Sequence, residues 1–175
     1  MKDSLMPFAD AALGAMPYLT VMPLVLPALA AGLIFLVPKT WAQRTIALVT
    51  LFALAVIAAT MIITVDVHGI QTVQMGGWEA PIGITLVADR LSTIMLFVSS
   101  LVLFAVQWYG ISQGVRDGGD DEPVAVFLPT YMLLTMGVNL SFLAGDMFNL
   151  YVGFEVFLVC LLYTSPSPRD RQKSR

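Results

Sequence analysis

Long apolar runs separated by short polar segments dominate the hydrophobic pattern of the chain. About 20 apolar residues, each rising 1.5 Å in a helix, cross the roughly 30 Å hydrocarbon core of a bilayer. Four runs are predicted to cross, and a fifth begins but is too short to do so. The predicted spans are 18–37, 45–65, 91–109, 127–143 and the start of a fifth at 150–159. The pattern therefore predicts an all-α protein, a polytopic transmembrane helical bundle, preceded by an N-terminal segment at 1–17.

Two prolines interrupt the first predicted span. Pro23 and Pro27 each remove an internal hydrogen bond, so we expect this helix to bend or to begin irregularly. A membrane tolerates this where neighbouring groups satisfy the freed carbonyls. The alternative is a signal peptide cleaved after Ala28-Leu29-Ala30. It is disfavoured because the preceding segment is long and acidic, and because the apolar run continues beyond the cleavage site.

The connection from Asp66 to Asp89 is the longest hydrophilic one. Short extended pieces at 71–75 and 84–87 flank turn signals, which are Gly76-Gly77-Trp78 and Ala80-Pro81-Ile82-Gly83. The sequence therefore predicts a small β-hairpin over one face of the membrane. The acidic, glycine-rich segment 110–123 is expected to be a solvated loop, since it lacks the ligand spacing of a calcium site.

Composition supports the membrane assignment. The 175 residues are 58% hydrophobic and 12% charged, whereas soluble domains carry about a quarter charged residues. This composition disfavours an ordinary soluble globule and excludes a disordered chain. One cysteine excludes a disulfide framework and a multi-cysteine metal centre. The formal net charge of −3 and the lack of a basic stripe argue against nucleic acid as a partner, and no motif indicates a cofactor or a metal.

The charges are unevenly distributed. Four of the nine basic residues lie in the last seven positions, so residues 1–159 carry five basic residues against eleven acidic ones. The run Cys160 to Asp170 also resembles one translated frame of a transposon-type sequencing-library adapter. We therefore expect that 160–175 is not native, that the natural sequence ends near Val159, and that the chain is an N-terminal fragment. The alternative is a basic cytoplasmic tail.

Basic residues near span ends predict the orientation. An N-terminus outside places Lys39, Arg44 and Arg116 inside, and leaves Lys2 and Arg90 outside. The long, basic-poor connection after the second span favours the same arrangement.

Glu155 is the main candidate for chemistry, because it lies within an apolar segment that is expected to be in the membrane. A carboxylate there costs several kcal/mol unless it is paired, protonated or hydrated, so it is a candidate proton relay. The structural alternative is a protonated Glu155 that bonds a neighbouring helix.

The secondary candidates have simpler roles as well. Asp146 and Asn149 have the spacing of helix-capping residues, and Asp89 can cap the third span while Arg90 reaches the headgroups. An ion-path role for these residues is the alternative. His68 is expected to be a polar loop residue.

One further polar motif lies within a span. Asn139-Leu140-Ser141 matches a glycosylation acceptor, but a transferase does not reach a membrane span. It is expected to form interhelical hydrogen bonds.

Three segments resemble one family of membrane proteins. The strongest resemblance is Val138 to Val159, which contains Gly-Asp-Met-Phe-Asn-Leu-Tyr-Val-Gly-Phe-Glu; the segments 78–84 and 86–92 support it. These segments resemble the proton-translocating subunits shared by respiratory complex I and Mrp-type sodium/proton antiporters, and most closely the D-type subunit of the latter. The resemblance covers about residues 18–159. It implies the N-terminal part of an antiporter-like fold of about fourteen helices in a bacterial cell (inner) membrane.

The resemblance also implies roles and partners. In that family a glutamate of the fifth helix pairs with a lysine on a later helix along a proton path, and Glu155 matches this glutamate. No lysine occurs between Lys39 and Lys173, so this chain alone is expected to lack a complete path. Gly153 stands where the family commonly has a bulky aromatic residue, and we expect space for water there. Other antiporter subunits, protons, sodium and the lipid bilayer are the implied partners.

Three functional classes follow. The favoured one is a subunit of a secondary transporter, not an enzyme, which exchanges sodium for protons. The rival is a proton-pumping subunit of NADH:quinone oxidoreductase or of a membrane-bound hydrogenase, where redox chemistry in partner subunits supplies the energy. A purely structural membrane scaffold is the third.

Overall fold

The computed structural model describes residues 2–75, 83–113 and 127–164. These ranges contain six helices and one two-stranded hairpin. In chain order the elements are α1 (Lys2–Leu13), α2 (Met16–Leu36), α3 (Thr40–His68), β1 (Gln71–Gln74), β2 (Thr85–Ala88), α4 (Arg90–Ser112), α5 (Phe127–Leu143) and α6 (Met147–Thr164). The predicted class, an all-α helical bundle, is confirmed.

Three of the helices, α2, α3 and α4, are long and apolar enough to cross a membrane. The apolar helices α5 and α6 are shorter. Two features differ from the sequence expectation. Residues 2–13 form the helix α1, and α3 has 29 residues because it begins before and ends after the predicted span. The predicted acidic loop lies outside the described residues from position 114 to 123, as does the C-terminal tail from position 165.

The helices pack around α2 and α3. Helix α2 contacts both α3 and α5, α3 contacts α4 and α1, and α5 contacts α6. Two apolar clusters form the core. The hairpin-end cluster consists of Met16, Ala58, Met61, Val65, Leu86, Ala88, Leu96 and Leu143. The far-end cluster consists of Ala30, Ala31, Ile34, Ala47, Leu51, Leu54, Leu128 and Met132.

A side chain from α5 satisfies a backbone carbonyl that a proline in α2 releases. In a helix the carbonyl of Pro23 accepts from the N–H four residues later, but that residue is Pro27, which has no N–H. The Asn139 side chain supplies the missing donor, with 2.9 Å between its Nδ2 and the Pro23 oxygen. The interhelical hydrogen bond predicted for Asn139 is therefore confirmed, as is the expectation that a neighbour compensates the helix.

The same arrangement recurs at the end of α2. Pro38 follows this helix and has no N–H for the carbonyl of Ile34, four residues earlier. Gln43 of α3 donates through its Nε2 to the Ile34 oxygen at 3.2 Å and to the Val37 oxygen at 2.8 Å. Lipid offers no hydrogen-bond donors. The Asn139 and Gln43 side chains therefore supply the hydrogen bonds that water would supply to free carbonyls in a soluble protein.

The predicted hairpin is confirmed. Strands β1 and β2 are antiparallel, with Gln71 opposite Ala88 and Gln74 opposite Thr85. The predicted turns lie outside the described residues from position 76 to 82. Leu86 of β2 is fully buried and forms a β-bridge with Ala144, just after α5. The hairpin therefore holds the connection between α5 and α6.

Glycines allow α5 and α6 to cross with their backbones nearly in contact. A Cβ added to Gly153 would lie 2.6 Å from Ser141 Oγ and 3.0 Å from the Ser141 backbone nitrogen. A Cβ on Gly137 would lie 3.0 Å from the Phe157 nitrogen. Such small-residue crossings are common between membrane helices because they bring backbones close together.

We predict that Asn139→Leu and Pro27→Ala are energetically coupled. Asn139→Leu leaves the buried Pro23 carbonyl without its donor and should lower the free energy of unfolding by about 1 to 3 kcal/mol. Combined with Pro27→Ala, which restores a backbone donor, the same change should cost about 1 kcal/mol less. A double-mutant cycle, measured by denaturant unfolding in lipid bicelles, tests this. In a Gly32→Ala background, which alters α2 away from the bond, the penalty should be unchanged, and equal penalties in all three backgrounds would contradict the prediction.

We also predict that Gly153→Ala destabilises the protein, since the added methyl group overlaps Ser141. Overpacking of this kind costs about 1 to 3 kcal/mol. Gly32→Ala is the matched control: Gly32 is an exposed helical glycine with no atom within 4 Å of its added Cβ, so this change should be neutral or slightly stabilising. Thermal unfolding of both variants tests this, and equal shifts in melting temperature would show that the α5–α6 crossing has room.

Candidate functional site

Asp146 caps the N-terminus of α6. Its Oδ1 accepts from the backbone N–H of Asn149 at 2.8 Å, and its Oδ2 accepts from the Asn149 side-chain amide. Asn149 is 5% exposed and Asp146 is partly exposed, so the pair lies at the edge of the protein interior. The predicted capping by Asp146 is confirmed. The capping predicted for Asn149 is wrong, because Asn149 lies within the first turn of α6 and donates to the Asp146 carboxylate. The carboxylate also complements the positive end of the helix dipole.

The hairpin fixes where this cap lies. The Gly145 N–H donates to the Thr85 carbonyl of β2 at 2.9 Å. A Cβ on Gly145 would lie 2.7 Å from Val87 Cγ2 and 2.9 Å from the Thr85 oxygen, so only glycine permits this approach. The residue before Asp146 is thereby attached to β2, and the start of α6 has a fixed position relative to the bundle.

Glu155 lies nine residues after the cap, about 13 Å along α6 at 1.5 Å per residue. Its side chain is exposed and lies on the face of α6 that points away from α5. The neighbouring exposed side chains are large and apolar: Met147, Phe148, Phe154, Leu158 and Leu162. Glu155 is therefore a single carboxylate on an apolar helix surface.

Tyr151 is the polar neighbour of Glu155. The two residues are one helical turn apart, and their side chains interact electrostatically. The ion pair of Arg90 with Asp66 and the hydrogen-bonded pair of His68 with Asp10 lie elsewhere in the bundle and do not include Glu155.

The space expected beside Glu155 at Gly153 is absent. Gly153 is buried and faces α5, where Ser141 lies within contact distance of any added atom. The Ser141 hydroxyl is itself engaged, since it donates to the Gly137 carbonyl at 2.9 Å. The expectation was wrong because glycine here serves a close helix crossing and does not leave a cavity.

Asp89 forms a complete capping box at the start of α4. Its Oδ1 accepts from the Ser92 backbone N–H at 2.6 Å, and the Ser92 hydroxyl accepts from the Asp89 N–H at 2.9 Å. The predicted cap is therefore confirmed. Arg90 forms an ion pair with Asp66 of α3 at 2.7 Å, which the sequence did not reveal. Its predicted contact with lipid headgroups stays a prediction.

The loop assignment of His68 is wrong. Helix α3 ends at His68 and is capped by Gly69, whose φ of +83° suits glycine. The His68 Nε2 lies 2.9 Å from Asp10 Oδ1, so this side chain links α3 to α1. The sequence contained no signal for this pair, because the two residues are 58 positions apart.

The structure thus brings Asp146 and Asn149 together and places Glu155 farther along the same helix. Asp89 begins a different helix, directly after β2. Sequence reasoning missed Gly145, although it precedes the predicted cap, because its role depends on the distant strand β2.

No model of a known protein family matches the chain. Antiporter subunit mnhD2 of Staphylococcus saprophyticus is 36% identical over 146 residues, which is 82% of this chain and 28% of that protein. The D-type subunit of the Na⁺/H⁺ antiporter of Alkalihalophilus pseudofirmus is 31% identical over 142 residues, with 81% and 28% covered.

Two solved structures share the fold. A chain of the Mrp complex from a Dietzia species matches with a TM-score of 0.72 and 25% identity, covering 82% of this chain and 26% of that one. A chain of the membrane-bound sulfane sulfur reductase, an archaeal respiratory membrane complex, matches with a TM-score of 0.69 and 21% identity. It covers 81% of this chain and 28% of that one.

The chain spans about 28% of the length of the curated relatives described above. With its long apolar helices and these relatives, it is a multi-pass membrane protein. The resemblance seen in the sequence is confirmed, and the chain is homologous to part of the D-type subunit of the Mrp-type multisubunit sodium/proton antiporters.

Proposed function

We propose that this chain belongs to a membrane subunit of a multisubunit cation/proton antiporter, which moves protons through a polar path in exchange for sodium. The observation that carries the proposal is Glu155, an isolated carboxylate on the apolar outer face of α6. Two relatives that bear the name of antiporter subunits support it. The partners are then the other subunits of the same membrane complex, protons, sodium and the lipid bilayer.

The proton step follows from the cost of a carboxylate in an apolar environment. Without water or a cation, ionised Glu155 is expensive there, so taking up a proton is favourable. When a cation or water approaches, the ionised form is stabilised and the proton leaves. The Tyr151 hydroxyl, one turn away, is the polar group that interacts electrostatically with this carboxylate. Glu155 can therefore relay protons without any cofactor.

The fixed start of α6 gives this relay a defined depth. Asp146 and Gly145 hold the first turn against β2, and Gly153 holds the middle of α6 against α5. Glu155, two residues after Gly153, is therefore on a rigid segment. We propose capping, and not ion conduction, as the role of Asp146 and Asp89, with Asn149 as the residue that holds the Asp146 carboxylate in place.

We propose a bacterial inner-membrane location with the N-terminus outside. The hairpin end of the bundle, which carries Arg90, then faces outward. The opposite end faces the cytoplasm. It carries Lys39, just before α3, and Arg44, near the start of α3, as expected for basic residues.

A redox-driven pump is the second candidate, and the fold shared with the archaeal respiratory complex is the observation that favours it. In that case the same helices would move protons, but partner subunits would supply the energy. Neighbouring genes discriminate the two. Small antiporter subunits support the first proposal, whereas flavin or iron–sulfur subunits support the second.

We predict that Glu155→Gln abolishes transport. The test uses a hybrid of the A. pseudofirmus protein in which this chain replaces the aligned segment, produced with the remaining subunits in antiporter-deficient cells. Glutamine keeps the size but cannot exchange a proton, so growth at raised sodium and sodium-induced pH change in inverted vesicles should be lost. The amount of assembled complex should stay within about twofold of the unsubstituted hybrid.

Asp66→Asn is the matched control for this experiment. Asp66 is also a carboxylate in the described chain, but it lies at the end of α3 in an exposed ion pair, and such pairs contribute about 0 to 1 kcal/mol. Its substitution should leave transport intact. Full transport by the Glu155→Gln hybrid would remove Glu155 from the proton path.

We predict that Asp146→Asn preserves transport in the same hybrid, whereas Asp146→Ala lowers stability. Asparagine caps helices about as well as aspartate, while alanine loses about 1 kcal/mol. Thermal unfolding and vesicle transport of both variants test this. Loss of transport with normal stability in Asp146→Asn would instead place this carboxylate in the ion path.

A further inference from the structure

One polar atom in the middle of the bundle has no partner among the described residues. It is the side-chain oxygen of Asn139, in a residue that is 1% exposed. The orientation of the amide is determined, because the opposite one would bring this oxygen against the Pro23 carbonyl, and two acceptors repel. Leaving a buried amide oxygen without a donor costs about 1 to 3 kcal/mol.

A second acceptor lies one turn away on α2. Pro23 has no N–H, so the carbonyl of Leu19, four residues earlier, loses its helical donor as the Pro23 carbonyl does. Asn139 satisfies only the latter. Leu19 is partly buried against the hairpin-end cluster, which keeps bulk solvent away from this part of α2.

The Asn139 side-chain oxygen has no partner among the described residues, and the Leu19 carbonyl has lost its usual helical donor, so both can accept a hydrogen bond. Carbonyls four residues apart in a helix, such as those of Leu19 and Pro23, are separated by about 6 Å. The Asn139 amide donates to the Pro23 carbonyl. A water molecule that donates to two acceptors joins atoms about 4.5 Å apart, because its two O–H bonds diverge by roughly 105°. It is the smallest donor that can serve the Asn139 side-chain oxygen and the Leu19 carbonyl together.

The surroundings favour a single neutral water over an ion. Along α5, Asn139 lies between Met132 of the far-end cluster and Leu143 of the hairpin-end cluster, and both residues are fully buried. A buried water needs two to four polar partners, whereas a hard cation needs about six oxygen ligands.

We propose that one internal water molecule binds between α2 and α5, donating to the Asn139 side-chain oxygen and to the Leu19 carbonyl. This site is independent of the proposed transport function. It completes the hydrogen bonding of the helix that two prolines interrupt, and it makes Asn139 a bridge that holds α5 to α2 at two successive turns.

The composition of the chain makes the site measurable. Asparagine occurs at only two positions, Asn139 and Asn149, so asparagine-selective ¹³C and ¹⁵N labelling gives two side-chain amide signals. Asn149→Ser assigns them by removing one. The test is water-to-¹³Cγ magnetisation transfer by solid-state NMR on the full chain in lipid bilayers, at mixing times much shorter than amide proton exchange.

The expected result is transfer to the Asn139 carbon at least threefold above that to the methyl groups of the buried core, which are measured in a second sample with ¹³C-labelled leucine methyl groups. Pro23→Ala restores a backbone donor to Leu19 while leaving the Asn139 bond to position 23, and it should reduce this transfer at least twofold. Gly32→Ala, elsewhere on α2, should leave it unchanged. Transfer no higher than that of the core methyl groups in the unsubstituted protein would overturn the proposal, as would full transfer in a folded Pro23→Ala variant.

Discussion

The fold depends on one constraint, which is that a helix interrupted by prolines in an apolar medium must find hydrogen-bond donors elsewhere. The Asn139 amide meets this need at the middle of α2, and the Gln43 amide meets it at the end. These donors come from α5 and α3, the two helices that pack against α2. The side-chain amides therefore determine which faces of the neighbouring helices are turned toward α2.

The placement of the candidate site depends on a second long-range contact. Strand β2 precedes α4, yet it pairs with the connection that follows α5. The cap at Asp146, the close crossing at Gly153 and the carboxylate at Glu155 then follow in order along one rigid helix. The function proposed for Glu155 therefore rests on residues of the hairpin that have no role in the chemistry.

Features set by neighbours in sequence were predictable, and features set by distant residues were not. The hairpin and the caps at Asp89 and Asp146 follow from local patterns. The bond of Asn139 followed from a polar residue in an apolar span, although its partner could not be named. The contact of His68 with Asp10 and the tight packing of Gly153 depend on how different helices pack against each other. The pattern of apolar residues does not determine these helix–helix contacts.

The bridge between Leu86 and Ala144 has a consequence for the order in which the protein assembles. Its two halves are 58 positions apart, so β2 leaves the ribosome well before its partner. Until α4 and α5 have entered the membrane, Leu86 can pair with β1 but not with Ala144, so one edge of β2 has no partner. The free edge of β2 then pairs with the residues that follow α5. The start of α6 is fixed only once this pairing has formed.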